Sequence, residues 1–421
     1  MIDKLLHTPE GVRDIYNAEC ERKTKLEESL KDVLSRYGFS NIQTPMFEFF
    51  DMYSKERGSV PSSEIYKFFD REGNILALRP DITPSVARCV AKYYKEETLP
   101  LRLSYCGDTF LNNSSYQGKL KEMTQIGAEL IGDESVHADA EMIALTVECL
   151  KKAGLTRFQV EIGHAGFFKG LVQEANLSLE EMEQLRILIE NKNMFGVEEV
   201  LSKRQMSKEL KEVFLKLPEL FGTVDKLMEV EACIHNETSI MALKRLEKLY
   251  ELLRLYGFDG YITFDLGMLN QYEYYTGIIF KGYTYGTGDA IVSGGRYDGL
   301  LEQFGKKSSA IGMAVLLDSL LNALVRQRIA FEPDTSGTLF VYTEEFAETA
   351  IGLASRLRKN GMQIQLLMQP YVKELKEYLS YVRKIGIGGI LILNEKEKVK
   401  VIHAEDGKME KVSLNVFDRQ C

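Results

Sequence analysis

The stretch Leu101–Gly132 constrains this chain most tightly. Leu101-Arg102-Leu103-Ser104-Tyr105-Cys106 alternates as a strand does, Leu111–Lys121 is a polar loop, and Met123–Ile131 has the pattern of a returning strand. The segment is therefore expected to form a long antiparallel hairpin. On the return strand Gln125 and Glu129 share a face with Met123, Gly127 and Ile131, while Ile126, Ala128 and Leu130 take the other. An amide and a carboxylate thus sit on a mostly apolar face, roughly 13 Å apart at about 3.3 Å per residue. Leaving such groups buried and unpaired costs about 1–3 kcal/mol each. Their partners are either other side chains of the protein or a small polar ligand.

A chain of 421 residues is long enough for two or three domains. No apolar run approaches the roughly 18 residues of a membrane helix, and the start MIDKLLHTPEG lacks the apolar core of a signal peptide. A cytosolic location is expected. Cys20, Cys89, Cys106, Cys149, Cys233 and Cys421 are scattered without a CxxC, so neither a zinc site nor a disulfide framework is indicated. His7, His137, His164, His235 and His403 show no metal-ligand spacing, and no metal site is expected. A net charge of −9 gives no overall attraction for nucleic acid.

Thr8-Pro9-Glu10-Gly11-Val12-Arg13-Asp14 leads into a helix over roughly 18–37, with Leu26, Leu30, Val33, Leu34 and Tyr37 on one face and Gly38 at its end. Phe39–Thr44 is then a short strand stopped by Pro45. Tyr66–Phe69 and Asn74–Arg79 flank the turn Asp70-Arg71-Glu72-Gly73 as a hairpin. In Leu78-Arg79-Pro80-Asp81-Ile82-Thr83-Pro84, Thr83 is expected to be the N-cap and Pro84 the first position of a helix over 84–95. Asp81 then lies near a helix N-terminus, a favourable place for a carboxylate in a capping or a site role.

A helix near 135–153 ends at Gly154, strand Phe158–Ile162 follows, and another helix begins near Ala165. From about Leu177 to Tyr256 the pattern is almost wholly helical and charged, which predicts an inserted helical subdomain with solvated faces. Strands return at Tyr261–Gly267, Tyr274–Lys281 and Ala290–Ser293, with a glycine-rich turn at Ser293-Gly294-Gly295-Arg296-Tyr297-Asp298-Gly299-Leu300. Ile311–Ala314 is a strand that runs into a helix over Val315–Leu324. Phe331–Gly337 is a plausible linker. Beyond it, strands Thr338–Thr343, Gln363–Leu367 and Gly389–Leu393 alternate with helices Glu345–Lys359 and Val372–Ile385, a small parallel α/β domain without a P-loop or GxGxxG. The main domain is thus a mixed antiparallel sheet covered by helices, with polar side chains converging on one face.

Taken together, Thr8–Asp14, Leu78–Thr83, Gln125-Ile126-Gly127-Ala128-Glu129-Leu130-Ile131-Gly132, Tyr274-Tyr275 and Ser293–Leu300 resemble the histidyl-tRNA synthetase family over nearly the whole chain. The resemblance implies an α+β fold: a class II aminoacyl-tRNA synthetase-like antiparallel sheet core over 1–330 with the helical insertion at about 177–256. A small C-terminal α/β domain resembling the anticodon-binding one would span 338–421. Pro45 matches the proline of the class II dimer-interface motif, which implies a homodimer core. For the amino-acid pocket it implies Asp81 as the ammonium contact, Thr83, Gln125 and Glu129 as further histidine contacts, and Tyr275 and Tyr297 as tyrosines bracketing the imidazole.

The chain departs from that family where ATP is handled. An arginine expected after the Phe of the first hairpin strand is replaced in Phe110-Leu111, and the following loop is Asn112-Asn113-Ser114-Ser115-Tyr116-Gln117-Gly118. The Gly-Leu-Glu-Arg arginine is missing from Leu316-Leu317-Asp318-Ser319, and Asn270 replaces a third before the paired tyrosines. Loss of one such charge contact typically costs about 10²–10³ in rate, so adenylate chemistry and catalytic residues are not expected. An amino-acid pocket without ATP chemistry resembles the ATP phosphoribosyltransferase regulatory subunits, paralogues of the synthetase, as does the Glu-Gly of the opening motif. That resemblance implies no cofactor, no role for tRNA, histidine as feedback effector, and a short-form ATP phosphoribosyltransferase catalytic subunit as partner in a hetero-octamer. The competing readings are a synthetase-like module for another amino acid or partner, and an active synthetase.

Overall fold

The alternation of Leu101–Gly132 folds as expected, and the hairpin is longer than the residues alone indicate. The structure, a computed structural model, describes residues 6–53, 60–113, 119–268, 275–329 and 337–418. Residues 1–13 with 26–330 form one compact unit, and 14–25 with 331–421 a second.

The first unit opens with α1 (Asn17–Arg36), β1 (Ser40–Asn41), β2 (Phe47–Phe49), β3 (Lys67–Phe69), β4 (Ile75–Leu78) and α2 (Thr83–Tyr93), the start of α1 being counted with the second. The hairpin is β5 (Leu101–Phe110) and β6 (Glu122–Ile131), followed by α3 (Val136–Lys152), β7 (Phe158–His164) and α4 (Ala165–Glu174). The stretch after it contains α5 (Leu179–Glu190), α6 (Met194–Ser202), α7 (Lys208–Lys216), β8 (Phe221–Gly222), α8 (Asp225–Glu231) and α9 (Glu237–Leu255). Strands β9 (Ile262–Asp265), β10 (Ile278–Thr284), β11 (Val292–Arg296) and β12 (Ala310–Leu316) lead to α10 (Leu317–Arg326). Nine strands make one sheet in the order β1-β5-β6-β12-β11-β10-β7-β9-β8. It is antiparallel except where β1 meets β5 and β7 meets β9.

Three expectations are corrected here. The strand read over Phe39–Thr44 is reduced to Ser40–Asn41 beside Leu103 and Ser104, with Phe39 before it buried. The helical stretch 177–256 contains strand β8, paired with β9, and its last helix packs on α3 and α4, since Leu243, Leu246, Leu249 and Leu253 give α9 a buried stripe. The glycine-rich segment is mostly not a turn. Ser293–Arg296 lie inside β11, paired with β10 and β12 in the middle of the sheet.

Glycine is required there by close approach. A Cβ on Gly294 would overlap the Phe280 ring and the backbone oxygen of Gly312. A side chain would therefore push neighbouring strands apart or displace a buried ring, so what looks like turn chemistry is a packing constraint.

A separate antiparallel sheet, β2-β4-β3, carries the chain into α2. Its strand β2 was not anticipated; it pairs Phe47 with Leu78. The second unit has β13 (Thr338–Tyr342), α11 (Ala347–Lys359), β14 (Ile364–Met368), α12 (Leu375–Ile385), β15 (Gly389–Glu395), β16 (Lys398–His403), β17 (Met409–Ser413) and α13 (Leu414–Asp418). Its sheet order is β14-β13-β15-β16-β17. The first three strands are parallel, as expected from their crossover helices, but β16 and β17 add antiparallel strands, so the sheet is mixed. Helix α11 covers the Phe340 face and α12 the Leu339 and Val341 face. Among the described residues no helix is long and apolar enough to cross a membrane.

Replacing Gly294 with alanine should destabilise the chain by about 1–3 kcal/mol, the usual cost of overpacking. Gly299→Ala, where nothing lies closer than 4.0 Å to the added carbon, should be close to neutral. Urea denaturation of the two variants checks this, and equal midpoints would contradict it.

Candidate functional site

The polar face of the hairpin meets the start of α2 and the glycine strands in a cleft of about 170 Å³. This is below the roughly 300–1,000 Å³ of clefts for drug-sized ligands and suits a molecule the size of one amino acid. All six residues singled out in the sequence, Asp81, Thr83, Gln125, Glu129, Tyr275 and Tyr297, line it.

Glu129 is at its centre, with a relative exposure of 1%. Strand alternation puts it on the face with Leu103 and Tyr105, its cross-strand neighbours in β5 being Leu103 and, two residues on, Tyr105 beside Gly127. Its Oε1 accepts from the Thr83 hydroxyl at 2.7 Å and its Oε2 from the Tyr297 hydroxyl at 2.6 Å. On the adjoining strand the residue opposite it is Gly312, and a side chain there would overlap the carboxylate. Burial pushes Glu129 up to about 8 although the Tyr297 and Thr83 hydrogen bonds favour the ionised form, and the nearby Asp81 carboxylate adds to the rise. Burial and the Glu129 charge hold the Tyr297 and Tyr105 phenols above their ordinary range.

The N-cap role read for Thr83 is not kept, and of the two roles left open for Asp81 the capping one is seen. Helix α2 starts at Thr83, with Ile82 as the flanking residue and Pro84 in the first turn. The Asp81 carboxylate accepts from the Thr83 backbone N–H at 3.1 Å, so Asp81 does the capping. The Thr83 hydroxyl is thereby released to bind Glu129. Behind them Arg79 is buried, donating to the backbone oxygens of Asp108 at 2.7 Å and Thr44 at 3.0 Å, and it anchors the segment that carries Asp81.

Gln125 lies two residues from Gly127 on the same face. Its Oε1 is buried and has no hydrogen-bond partner among the described residues. Tyr105 was missed by the sequence reading; its ring covers Gly127 and its hydroxyl is buried towards Glu129 and Thr83. The signal was present, since Tyr105 alternates with Leu103 in a strand that pairs with Gln125–Glu129. The wall on the Tyr297 side is fixed by Arg296, whose guanidinium meets Asp139 at 2.6 Å, while Asp139 also binds Arg245 at 2.6 Å.

Leu111 and Leu316 line the cleft, and no lysine or arginine does so among the described residues. Asp318, from the segment where the second arginine was sought, is buried and accepts from the Thr124 backbone N–H at 2.8 Å. Asn270, Tyr274 and the loop residues Ser114–Gly118 lie outside the described residues, as does most of the linker Phe331–Gly337.

This sheet, with a hairpin and glycine strands around an amino-acid-sized cleft, defines a histidyl-tRNA synthetase-like protein of the class II type. The histidyl-tRNA synthetase family model matches residues 11–320. A histidyl-tRNA synthetase from a Nostoc species shares the fold at a TM-score of 0.80, with 22% identity and 98% of each chain covered. Nearer in sequence is an ATP phosphoribosyltransferase regulatory subunit of Acetivibrio thermocellus, 40% identical over 99% of both chains. The crystal structure of an ATP phosphoribosyltransferase regulatory subunit/histidyl-tRNA synthetase from Bacillus halodurans is 32% identical at a TM-score of 0.81, covering 90% of this chain and 96% of that one. The chain belongs to the ATP phosphoribosyltransferase regulatory subunit family, and it is a synthetase-like regulatory chain, not an aminoacylating enzyme.

The pH dependence of stability follows from Glu129. Its raised value in the fold means that folding favours the protonated carboxyl, so its contribution is present below the ordinary carboxyl range and is lost as pH rises towards about 8. Relative to Glu129→Gln, the chain should lose stability on the order of 4 kcal/mol between pH 5 and 8.5, about three pKa units being crossed at about 1.4 kcal/mol each. Thermal melting of both chains across this range tests it; a constant difference between them would contradict it.

Proposed function

We propose that this chain is the histidine-responsive regulatory subunit of a short-form ATP phosphoribosyltransferase, needed for the first step of histidine biosynthesis, and that the Glu129 cleft is the histidine site. The observation that carries the reading is the charge of the cleft: its described lining has two carboxylates and an unsatisfied amide oxygen, and no cation to hold a phosphate. Histidine offers an ammonium for Asp81 and Glu129, ring N–H groups for Gln125 and Glu129, and a flat ring for Tyr275 and Tyr297. ATP offers charges of the opposite sign. The names of the relatives support the catalytic partner, and a homodimer core within a hetero-octamer is part of the proposal; tRNA is not.

Feedback then requires that histidine bind the inhibited assembly better than the active one, and by linkage the substrates of the catalytic subunit must weaken histidine. A tenfold effect corresponds to about 1.4 kcal/mol of coupling.

Co-expression with a short-form catalytic subunit should give a complex whose phosphoribosyltransferase activity depends on this chain and is inhibited by histidine. Glu129→Ala should raise the histidine concentration for half-inhibition by at least about tenfold while leaving the activity without histidine in place. Failure of the two chains to associate, or histidine-dependent ATP–pyrophosphate exchange by this chain alone, would overturn the proposal.

A further inference from the structure

Asp139, in the first turn of α3, is fully buried and accepts from two guanidiniums. Arg296 donates to its Oδ1 from Nε at 2.9 Å and from Nη2 at 2.6 Å. Arg245, on α9, donates to its Oδ2 from Nε at 2.7 Å and to the Glu134 backbone oxygen at 2.8 Å. The carboxylate is thus divided, one oxygen to each arginine, and it joins the last helix of the insertion to the end of β11. The next residue after Arg296 is Tyr297, whose hydroxyl donates to Glu129 at 2.6 Å in the floor of the cleft. A continuous chain of short charged hydrogen bonds therefore runs from α9 to the residue beside the cleft's central carboxylate.

Without Arg245, Asp139 keeps its charge and its burial but one oxygen loses its strongest donor. Turning that oxygen towards Arg296, in the side-on geometry a guanidinium prefers, restores the hydrogen bond and shifts Arg296 with it. The bond from Tyr297 to Glu129 is short, and a displacement of a few tenths of an ångström at its base weakens it. Resting on the reading of the cleft as a histidine site, we propose that Arg245 is a positioning residue for the ligand, acting through Asp139 and Arg296 on the Tyr297 hydroxyl, and that α9 is thereby coupled to occupancy of the cleft. This gives the helical insertion a part in recognition although none of its helices lines the cleft. Substitutions along such a network change binding by roughly two- to thirtyfold, and about fivefold is expected here. The coupling is reciprocal, so a ligand that needs α9 docked also holds it docked.

Calorimetric titration of the full-length chain with L-histidine tests this in Arg245→Gln, in Tyr297→Phe and in the double variant, with urea denaturation to show that each is folded. Arg245→Gln should bind L-histidine about fivefold more weakly than the unmutated chain, and the same change made in Tyr297→Phe should cost less than about twofold. In the unmutated chain, saturation with histidine should slow hydrogen exchange by about fivefold at the backbone amides of α9 around Arg245. Unchanged affinity in Arg245→Gln, an equal loss in both backgrounds, or exchange in α9 indifferent to histidine overturns the inference and leaves the histidine-site proposal standing. Should a variant fail to fold or to bind, the exchange measurement alone decides. If L-histidine does not bind the unmutated chain, both fall.

Discussion

A single buried carboxylate organises the cleft. Glu129 is removed from water, and the described groups that compensate it are the neutral hydroxyls of Thr83 and Tyr297. That arrangement satisfies its oxygens without neutralising a charge. Burial favours the protonated acid, and a cation placed beside it would favour the ionised form. The hydroxyls come from α2 and from the end of the glycine strands, so Glu129 ties three segments of the unit into one site.

The sheet supplies the room. Gly127 lies under the Tyr105 ring, Gly294 beside the Phe280 ring and Gly312 under the Glu129 carboxylate. Each glycine sacrifices backbone entropy in a strand, an unfavourable choice for a sheet that had only to be stable. Here it lets large side chains lie flat across neighbouring strands. Arg79 and Arg296, both buried, are occupied in holding the walls. Neither lines the cleft, whose described charged side chains are Asp81 and Glu129.

Much of this was legible in the chain itself. The hairpin, α1 and α3 followed from unbroken alternation or helical spacing, and Gln125 and Glu129 share one cleft because strand parity is hard to misread over ten residues, whereas Asp81, Thr83, Tyr275 and Tyr297 were placed there by the family resemblance. The missing arginines were legible too, since the identity of a side chain does not depend on the fold. Other features were hidden for physical reasons. Ser293–Arg296 looked like a turn because glycine signals a turn as strongly as a crowded strand. The loss of the N-cap role by Thr83 hinged on a one-residue shift in the helix start, the scale at which local signals are weakest. The packing of α9 on α3 and α4 is a tertiary choice that an amphipathic stripe permits but does not specify. The antiparallel strands β16 and β17 follow the crossover units and carry only short alternating signals.

The most direct measurement is a crystal structure of the chain grown with histidine and ATP together. The account predicts histidine alone in the cleft, with a nitrogen donor within hydrogen-bond distance of the Gln125 amide oxygen and another facing Glu129, its ring between Tyr275 and Tyr297. A histidyl-adenylate held there, or histidine bound elsewhere with the cleft empty, would contradict it.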